Sequence, residues 1–347
     1  MQKIRIREAV PQDAAALLEI YSYYVKNTAI TFEWEIPSVQ EFEDRITKTL
    51  KNYPYIVAEL DEPESTKILG YAYASRFRER KAYDWDVESS IYIEKNARGK
   101  KIGEQLLNEL EKRLKKQGIL NINASITSPD ENGEPDEHLT DASRLFHQKM
   151  GYTMVGRFHK SGFKFGRWYD MIWMEKFLGE HLEIRKAKPE ELPKIMEIYH
   201  YAQDFMIQTG NPNQWAHKNP TQERIQMDIQ EKRCYLICSR NEIHGVFALF
   251  TEIEPEITYK KIDGKWLNDE PYLTIHRIAA DGKVHGIFAA AINYCKSLSK
   301  NLRIDTHADN RIMQHLIEKN GFKKCGTIYL TNGDGTARIA YHWDGNS

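Results

Sequence analysis

The chain has 347 residues, with 49 Lys and Arg against 50 Asp and Glu and a formal net charge of −1 at pH 7. That balance excludes a general electrostatic pull toward nucleic acid or an anionic membrane surface, and no apolar run approaches the ~18 residues needed to span a bilayer. With 41% hydrophobic and 29% charged residues the composition is that of a soluble globular protein, and the length exceeds the about 100–200 residues of one domain, so two domains are expected.

In chain order, "MQKIRIREAV" is charged and opens a strand-like alternation, which does not fit a signal peptide, and a cytoplasmic setting is expected. A helix near "AALLEIYSYY" and a second near "VQEFEDRITKTL" lead into three consecutive strands, "YIVAEL", "KILGYAYASRF" and "ESSIYIEKN". "ARGKKIGEQLLNELEKRLKKQG", from Ala97, is a basic turn running into a helix whose Leu106, Leu107, Leu110 and Leu114 form one apolar stripe. Strand, glycine-containing turn and helix together aim backbone N–H groups and the positive helix end at an anion, and a phosphate is the expected one. The strand "NINASI", an acidic segment from Ser128 to Leu139, a short helix "ASRLFHQKM" and a closing hairpin follow. The acidic segment reads as a solvated loop, or alternatively as a lid.

The pattern then restarts. "IREAVPQDAAALLEIY" from Ile6 returns as "IRKAKPEELPKIMEIY" from Ile184, "ILGYAYA" from Ile68 as "IHGVFAL" from Ile243, and "HQKMGYTMVG" from His147 as "IEKNGFKKCG" from Ile317. A repeat on this scale is a duplicated domain and not a solenoid. The boundary is expected at "FLGEH", giving domains 1–180 and 181–347, each a mixed α/β (α+β) fold with a mainly antiparallel sheet flanked by helices. Cys234, Cys238, Cys295 and Cys325 form no CxxC pair and read as buried thiols, with a zinc site at Cys234, Cys238 and His244 as the weaker alternative. No metal is expected.

R-x-x-G-x-G after a strand, with a later short helix ending in an aromatic Gly-Tyr or Gly-Phe step, resembles the GCN5-related N-acetyltransferase superfamily. "AYDWDVESSIYI" from Ala82, "ARGKKIGEQLL" from Ala97, "SRLFHQKMGY" from Ser143 and "SGFKFGRWYDMIWMEKFL" from Ser161 narrow the resemblance to the phosphinothricin and methionine sulfoximine/sulfone acetyltransferases. It covers residues 1–180 and implies acetyl-CoA as donor, a small amine as acceptor, direct attack in a ternary complex and no covalent enzyme intermediate. It also implies a homodimer, for which the second domain would substitute if the chain is a monomeric pseudo-dimer. Acetylation of a peptide or polyamine is the alternative.

The resemblance assigns residues. Glu88 matches the proposed base, with Trp85 and Val87 as apolar neighbours able to strip water from it; on its own it reads as a surface glutamate on an exposed strand position. His147 stands where many members place an acid, with Tyr152 in reserve, and a packed histidine is the plain alternative. The donor is expected against Arg98, Gly99, Lys100, Lys101, Ile102 and Gly103, along Thr140 and Ser143, with an oxyanion held by a main-chain N–H near Tyr92 or Ile93. Lys101 replaces the family's first glycine and Thr140 its usual asparagine. Acceptor anions are expected at Arg78, Arg80, Tyr83 and Lys164, between the apolar walls of Phe32 and Trp168.

The second domain resembles bacterial acetyltransferases through "GNPNQW", "KWLNDEPYLTIHRIA" and "LRIDTHADNRIMQHLIEKNGF". Its turn "ADGKVHGIF" aligns with Asp281 in place of the arginine and Gly286 in place of the second glycine, a carboxylate where pyrophosphate should sit. Asn310 keeps the position beside the cofactor arm, and Ile317 replaces the acid. The domain is expected to bind an acyl-CoA separately, to regulate, or to be degenerate.

Overall fold

A computed structural model describes residues 4–61, 66–129, 136–215, 219–250, 257–330 and 335–345. The chain divides into two compact units, Met1–Gly179 and Glu180–Ser347. Both are mixed α/β, each a largely antiparallel sheet flanked by helices, as expected. Of the acidic segment, residues 130–135 lie outside the described residues.

The first unit runs β1 (Ile4–Glu8), α1 (Ala14–Asn27), α2 (Val39–Leu50), β2 (Tyr55–Asp61), β3 (Thr66–Arg76), β4 (Asp86–Ile93), α3 (Ile102–Gln117), β5 (Asn121–Ser128), α4 (Ala142–Lys149), β6 (Thr153–Lys164) and β7 (Arg167–Phe177). Ser38 starts α2 by accepting the Glu41 N–H at 3.1 Å. The apolar stripe of α3 is buried as its spacing predicts: Leu106, Leu107, Leu110 and Leu114 pack with Val87, Ile122 and Ile172 on one face of the sheet. On the other face α1 and α2 cover an aromatic layer of Tyr55, Tyr71, Tyr73 and Tyr92.

The strand order is β1-β2-β3-β4-β5-β7-β6. Its one parallel contact, β4 with β5, lasts three residue pairs, from Asp86↔Asn121 to Glu88↔Asn123. Beyond it β4 stays with β3 as far as Ile93, and β5 stays with β7 as far as Ser128. The two strands part because each is tied to a different neighbour, and the sheet opens in a split that begins at Glu88.

The second unit runs β8 (Glu183–Lys186), α5 (Leu192–Gln208), α6 (Gln222–Gln230), β9 (Cys234–Ser239), β10 (Glu242–Phe250), β11 (Asp263–Gly264), β12 (Leu273–Ala280), α7 (Ile287–Leu298), β13 (Leu302–Thr306), α8 (Arg311–Lys319), β14 (Lys323–Tyr329) and β15 (Ala337–Trp343). Its sheet, β8-β9-β10-β12-β13-β15-β14-β11, has the order of the first with β11 added at the edge. The parallel pair β12 and β13 again parts after three pairs, the last being Ile275↔Ile304.

Candidate active site

Side chains alternate across a strand, so β4 sends Val87 and Ile91 toward α3 and Glu88 and Tyr92 toward α1. Glu88 stands on the last paired residue, half-buried, and its Oε1 accepts the Ser125 hydroxyl at 2.6 Å from across the split. The expected apolar neighbours do not surround it: Val87 is on the opposite face in the α3 core, and Trp85 is 49% exposed. Its face holds Tyr73 instead, a phenol held above its ordinary value by burial, with the Ser90 hydrogen bond lowering it and the Glu88 charge raising it. Trp173 lies opposite Ser125 on β7, and the Arg78 guanidinium sits 5.8 Å from that indole and 4.4 Å from the Phe77 ring. Carboxylate, hydroxyl, indole and guanidinium thus gather on one face at the mouth of the split.

The backbone edge facing the split follows from hydrogen-bond alternation. Glu94 N–H donates to Leu69 C=O at 2.9 Å and Ala74 N–H to Pro54 C=O at 3.2 Å. Antiparallel pairs bond alternately, so Glu88, Ser90 and Tyr92 turn their peptide groups to β3, while Ser89, Ile91 and Ile93 turn theirs to the split. Tyr24 then occupies Ile93, its hydroxyl accepting the N–H at 3.1 Å and donating to the C=O at 2.6 Å. Tyr92 thus gives its peptide groups to β3 and Ile93 its N–H to Tyr24, and next to them the Ile91 N–H turns toward the opening.

The turn before α3 takes the shape its composition predicts. Gly99 has φ +77° and Lys101, at the N-cap of α3, has φ +61°. Lysine has adopted the left-handed conformation that the family's glycine takes freely, at a cost of about 1 kcal/mol. Lys100 and Lys101 are exposed, and the Arg98 guanidinium lies over the Tyr23 and Tyr24 rings, 5.3 and 5.1 Å from their centroids. The first amides of α3 and three cations thus face one exposed turn, an anion-binding arrangement. Ile102 is a core residue, 1% exposed, and Gly103 lets α3 approach α4, since a Cβ there would stand 3.3 Å from the Phe146 ring.

His147 is 4% exposed in α4, its Nδ1 2.8 Å from the Ser143 carbonyl. A carbonyl only accepts, so the neutral imidazole carries its hydrogen on Nδ1. Burial lowers its pKa, partly countered by that bond. Tyr152 packs against it edge-on at 5.1 Å and is itself 2% exposed. The pair lies on the α3 and α4 side of the sheet, opposite Glu88, and Thr140 is exposed just before α4.

Among the acceptor residues the structure separates walls from clamps. Lys164 is 3% exposed and its Nζ donates to the carbonyls of Thr28 at 2.9 Å and Thr31 at 2.7 Å. Its charge is spent holding the 28–31 loop and is not presented to a ligand. That loop carries Phe32, whose ring rests on Gly162, where a Cβ would come within 2.1 Å. Trp168 is 58% exposed beside Phe163 at 5.1 Å. Arg80 is exposed and Tyr83 leans on Phe77 at 6.0 Å, both in the loop between β3 and β4, as the mixed charges of "RFRERKAYDW" suggest. Ser125, Trp173, Tyr24 and Tyr73 escaped the sequence reading, because nothing local marks a residue that matters through pairing across a sheet.

In the second unit the turn is shifted from its sequence alignment. Gly286, with φ +88°, is the N-cap of α7 and so takes the place of Lys101, not that of Gly103. Lys283 then stands where Arg98 does. Asp281 does not face a phosphate: it is 8% exposed and its carboxylate meets His244 Nδ1 at 3.0 Å and accepts the Lys283 N–H at 3.0 Å. Asn310 caps α8, accepting the Met313 N–H at 3.0 Å and donating to Gln214 at 2.9 Å. Cys234 and Cys238 lie buried on β9 and His244 is engaged by Asp281. Among the described residues no His, Cys, Asp and Glu side chains group as a metal site, and no helix is long and apolar enough to cross a membrane.

Residues 6–173 match the model of the acetyltransferase (GNAT) domain. Phosphinothricin N-acetyltransferase of Streptomyces viridochromogenes is 31% identical over 175 residues, which is 50% of this chain and 88% of that protein. The L-methionine sulfoximine/L-methionine sulfone acetyltransferase of Pseudomonas aeruginosa is 32% identical over 171 residues, 49% of this chain and 92% of that one. A crystal structure of a GNAT phosphinothricin acetyltransferase from Sinorhizobium meliloti in complex with AcCoA shares 37% identity and covers 51% of this chain and 89% of its own, with a TM-score of 0.45. The chain belongs to the GNAT acetyltransferase family. Its first half is an acetyl-CoA-dependent N-acetyltransferase domain.

Proposed function

We propose that the first unit moves acetyl from acetyl-CoA to the α-amine of a small, anion-bearing amino acid of the phosphinothricin or methionine sulfone type, in a cytoplasmic setting. The observation that carries this reading is Glu88 at the mouth of the split, held by Ser125 and sharing a face with Trp173 and Arg78. An ammonium is not a nucleophile, so a base must take its proton, and a carboxylate fixed at the opening does this directly or through water. The freed amine attacks the thioester carbonyl, whose developing negative charge the Ile91 N–H is placed to meet. Arg78 and Arg80 serve the acceptor's anionic groups, and Phe32 and Trp168 its apolar stem. Arg98, Gly99, Lys100, Lys101 and the first turn of α3 serve the donor's phosphates. Tyr152, whose buried phenol keeps its proton, stands for the leaving thiolate, and the neutral His147, its one N–H given to the Ser143 carbonyl, packs against it.

The test is thiol release from acetyl-CoA with phosphinothricin, methionine sulfone and methionine sulfoximine, for wild type and Glu88→Gln. Turnover of at least one, lost on substitution, supports the reading; acetyl-CoA binding with no turnover of any of them rejects the acceptor class.

For the second unit we infer a second domain of the same family that binds its own acyl-CoA. The repeated strand order, the parallel pair that parts after three residues and the left-handed Gly286 opening α7 support this. Two acetyl-CoA molecules bound per chain in calorimetry is the expected result, and one is the result that rejects it.

A further inference from the structure

A cavity of about 320 Å³ lies where β12 and β13 part. The last pair there is Ile275↔Ile304, and the next residue on each strand, His276 and Asp305, faces this space. His276 Nδ1 stands 3.6 Å from Asp305 Oδ2, which also accepts the Tyr259 hydroxyl at 2.6 Å. Among the described residues the buried His276 Nε2 has no hydrogen-bond partner, and neither has Oγ1 of Thr306, a fully buried residue of the same wall. Such groups are costly unless something completes them.

The backbone is bent to produce this arrangement. Arg277, inside a strand, has φ +52°, and the pairing of β10 with β12 slips between Val246 and Ala248, opposite it. The conformation costs about 1–3 kcal/mol. It is held by the Arg277 guanidinium on Asp228 at 2.9 and 2.8 Å and by Tyr199 donating to the Arg277 carbonyl at 2.8 Å. Strain kept up by this many contacts beside a polar cavity is characteristic of a working site.

We propose that this cavity is a second acceptor site, in which His276 takes the proton from a small carboxylate-bearing amine as it is acetylated. The proposal rests on the second unit binding acyl-CoA. A volume of about 320 Å³ is at the small end of ligand pockets and has room for a small amino acid with some water. The wall carries the guanidinium groups of Arg224 and Arg338, the chemistry that suits a carboxylate, while Asp305 is engaged by Tyr259, by Arg338 at 3.9 Å and by His276. The amine nitrogen, entering as the free base, attacks the thioester carbonyl; the C–N bond forms, the C–S bond breaks, and the proton leaves nitrogen for His276 Nε2. The Asp305 carboxylate, 3.6 Å from Nδ1, stabilises the imidazolium by its charge, and the proton then passes to the thiolate. Burial, with the charges of Arg277, Arg224 and Arg233, pushes His276 down to about 3, so the imidazole waits uncharged.

The experiment uses the full chain carrying Glu88→Gln and measures thiol release from acetyl-CoA with each of the standard L-amino acids. At least one is expected to be turned over, and adding His276→Gln is expected to lower kcat about 100-fold with KM changed less than about threefold. Thr306→Val, a milder change, is expected to raise KM instead, and urea midpoints show that each variant is folded. Two bound acetyl-CoA molecules without turnover of any amino acid, or turnover that survives His276→Gln, overturns the acceptor site alone. A single bound acetyl-CoA overturns the reading of the second unit and this site with it.

Discussion

Ser125 on β5 donates its hydroxyl to the Glu88 carboxylate on β4 at 2.6 Å, and this bond crosses the sheet just where the two strands cease to pair. It fixes the carboxylate at the mouth of the split. Glu88→Gln is expected to lower kcat for methionine sulfone at least about 100-fold. Ser125→Ala, which removes one hydrogen bond to a charged group, is expected to cost about tenfold. Steady-state thiol release on both variants checks the order of the two effects; equal rates in wild type and Glu88→Gln remove Glu88 from the reaction.

Lys164 clamps the loop beside the proposed acceptor pocket, and its effect on that pocket is expected to run through the loop. Lys164→Met leaves the carbonyls of Thr28 and Thr31 without their donor inside the protein, a loss of about 2–4 kcal/mol for two bonds. The expected result is a lower urea midpoint together with a raised acceptor KM. A KM that rises at unchanged stability would instead make Lys164 a direct ligand.

Gly162 sets the depth of the same pocket. In Gly162→Ala the new methyl meets only the far end of the Phe32 ring, which swings aside at little cost in stability. The apolar wall moves with it, and the acceptor KM is expected to rise about tenfold while acetyl-CoA KM is unchanged. Kinetics with both substrates varied separates this from a general loss.

Lys101 combines a strained backbone with a useful charge. Lys101→Gly relieves the left-handed conformation and is expected to stabilise the first unit by about 0.5–1 kcal/mol. It also removes a cation from the phosphate turn, so acetyl-CoA KM is expected to rise a few fold, more at low salt than at high. Thermal melting and KM at two ionic strengths test the two halves of this prediction independently.

His342 makes the second unit sensitive to acid. Fully buried, it accepts the Leu267 N–H on Nδ1 at 3.2 Å, while Nε2 lies 3.2 Å from Asn301 Oδ1, so only the neutral ring fits. Burial, with the Arg303 charge, lowers it to about 4. The unfolded imidazole, near 6.5, binds the proton first. Stability is therefore complete above about 6.5 and falls as pH drops toward 4, by on the order of 2 kcal/mol at pH 5. Urea midpoints at pH 7.5 and 5, with His342→Gln removing about half of the difference because His276 contributes a similar fall, check the sign.

Much of this was legible because it is local. The α3 stripe and the basic turn depend on residues a few positions apart, and the repeat shows in the short patterns that return along the chain. "GFKFGRWYD" carried the family resemblance, yet its lysine turned out to be a buried clamp, since a residue type does not say which carbonyls will surround it. The turn of the second unit misled for a related reason: counting from Asp281 puts Gly286 two places from where the helix actually begins.

The sequence by itself determined the two units, their mixed architecture and the glycine-containing turn before α3, because helical and strand periods and turn conformations are properties of neighbouring residues, while Glu88 as candidate base came from the family resemblance. Only the tertiary structure decided that β4 and β5 part at Glu88, that Ser125 and Trp173 stand beside it, that Tyr24 occupies Ile93, and that His276 and Asp305 face one cavity. Those relationships join strands far apart in the chain, and strand pairing is settled by the packing of whole sheet faces rather than by any one segment.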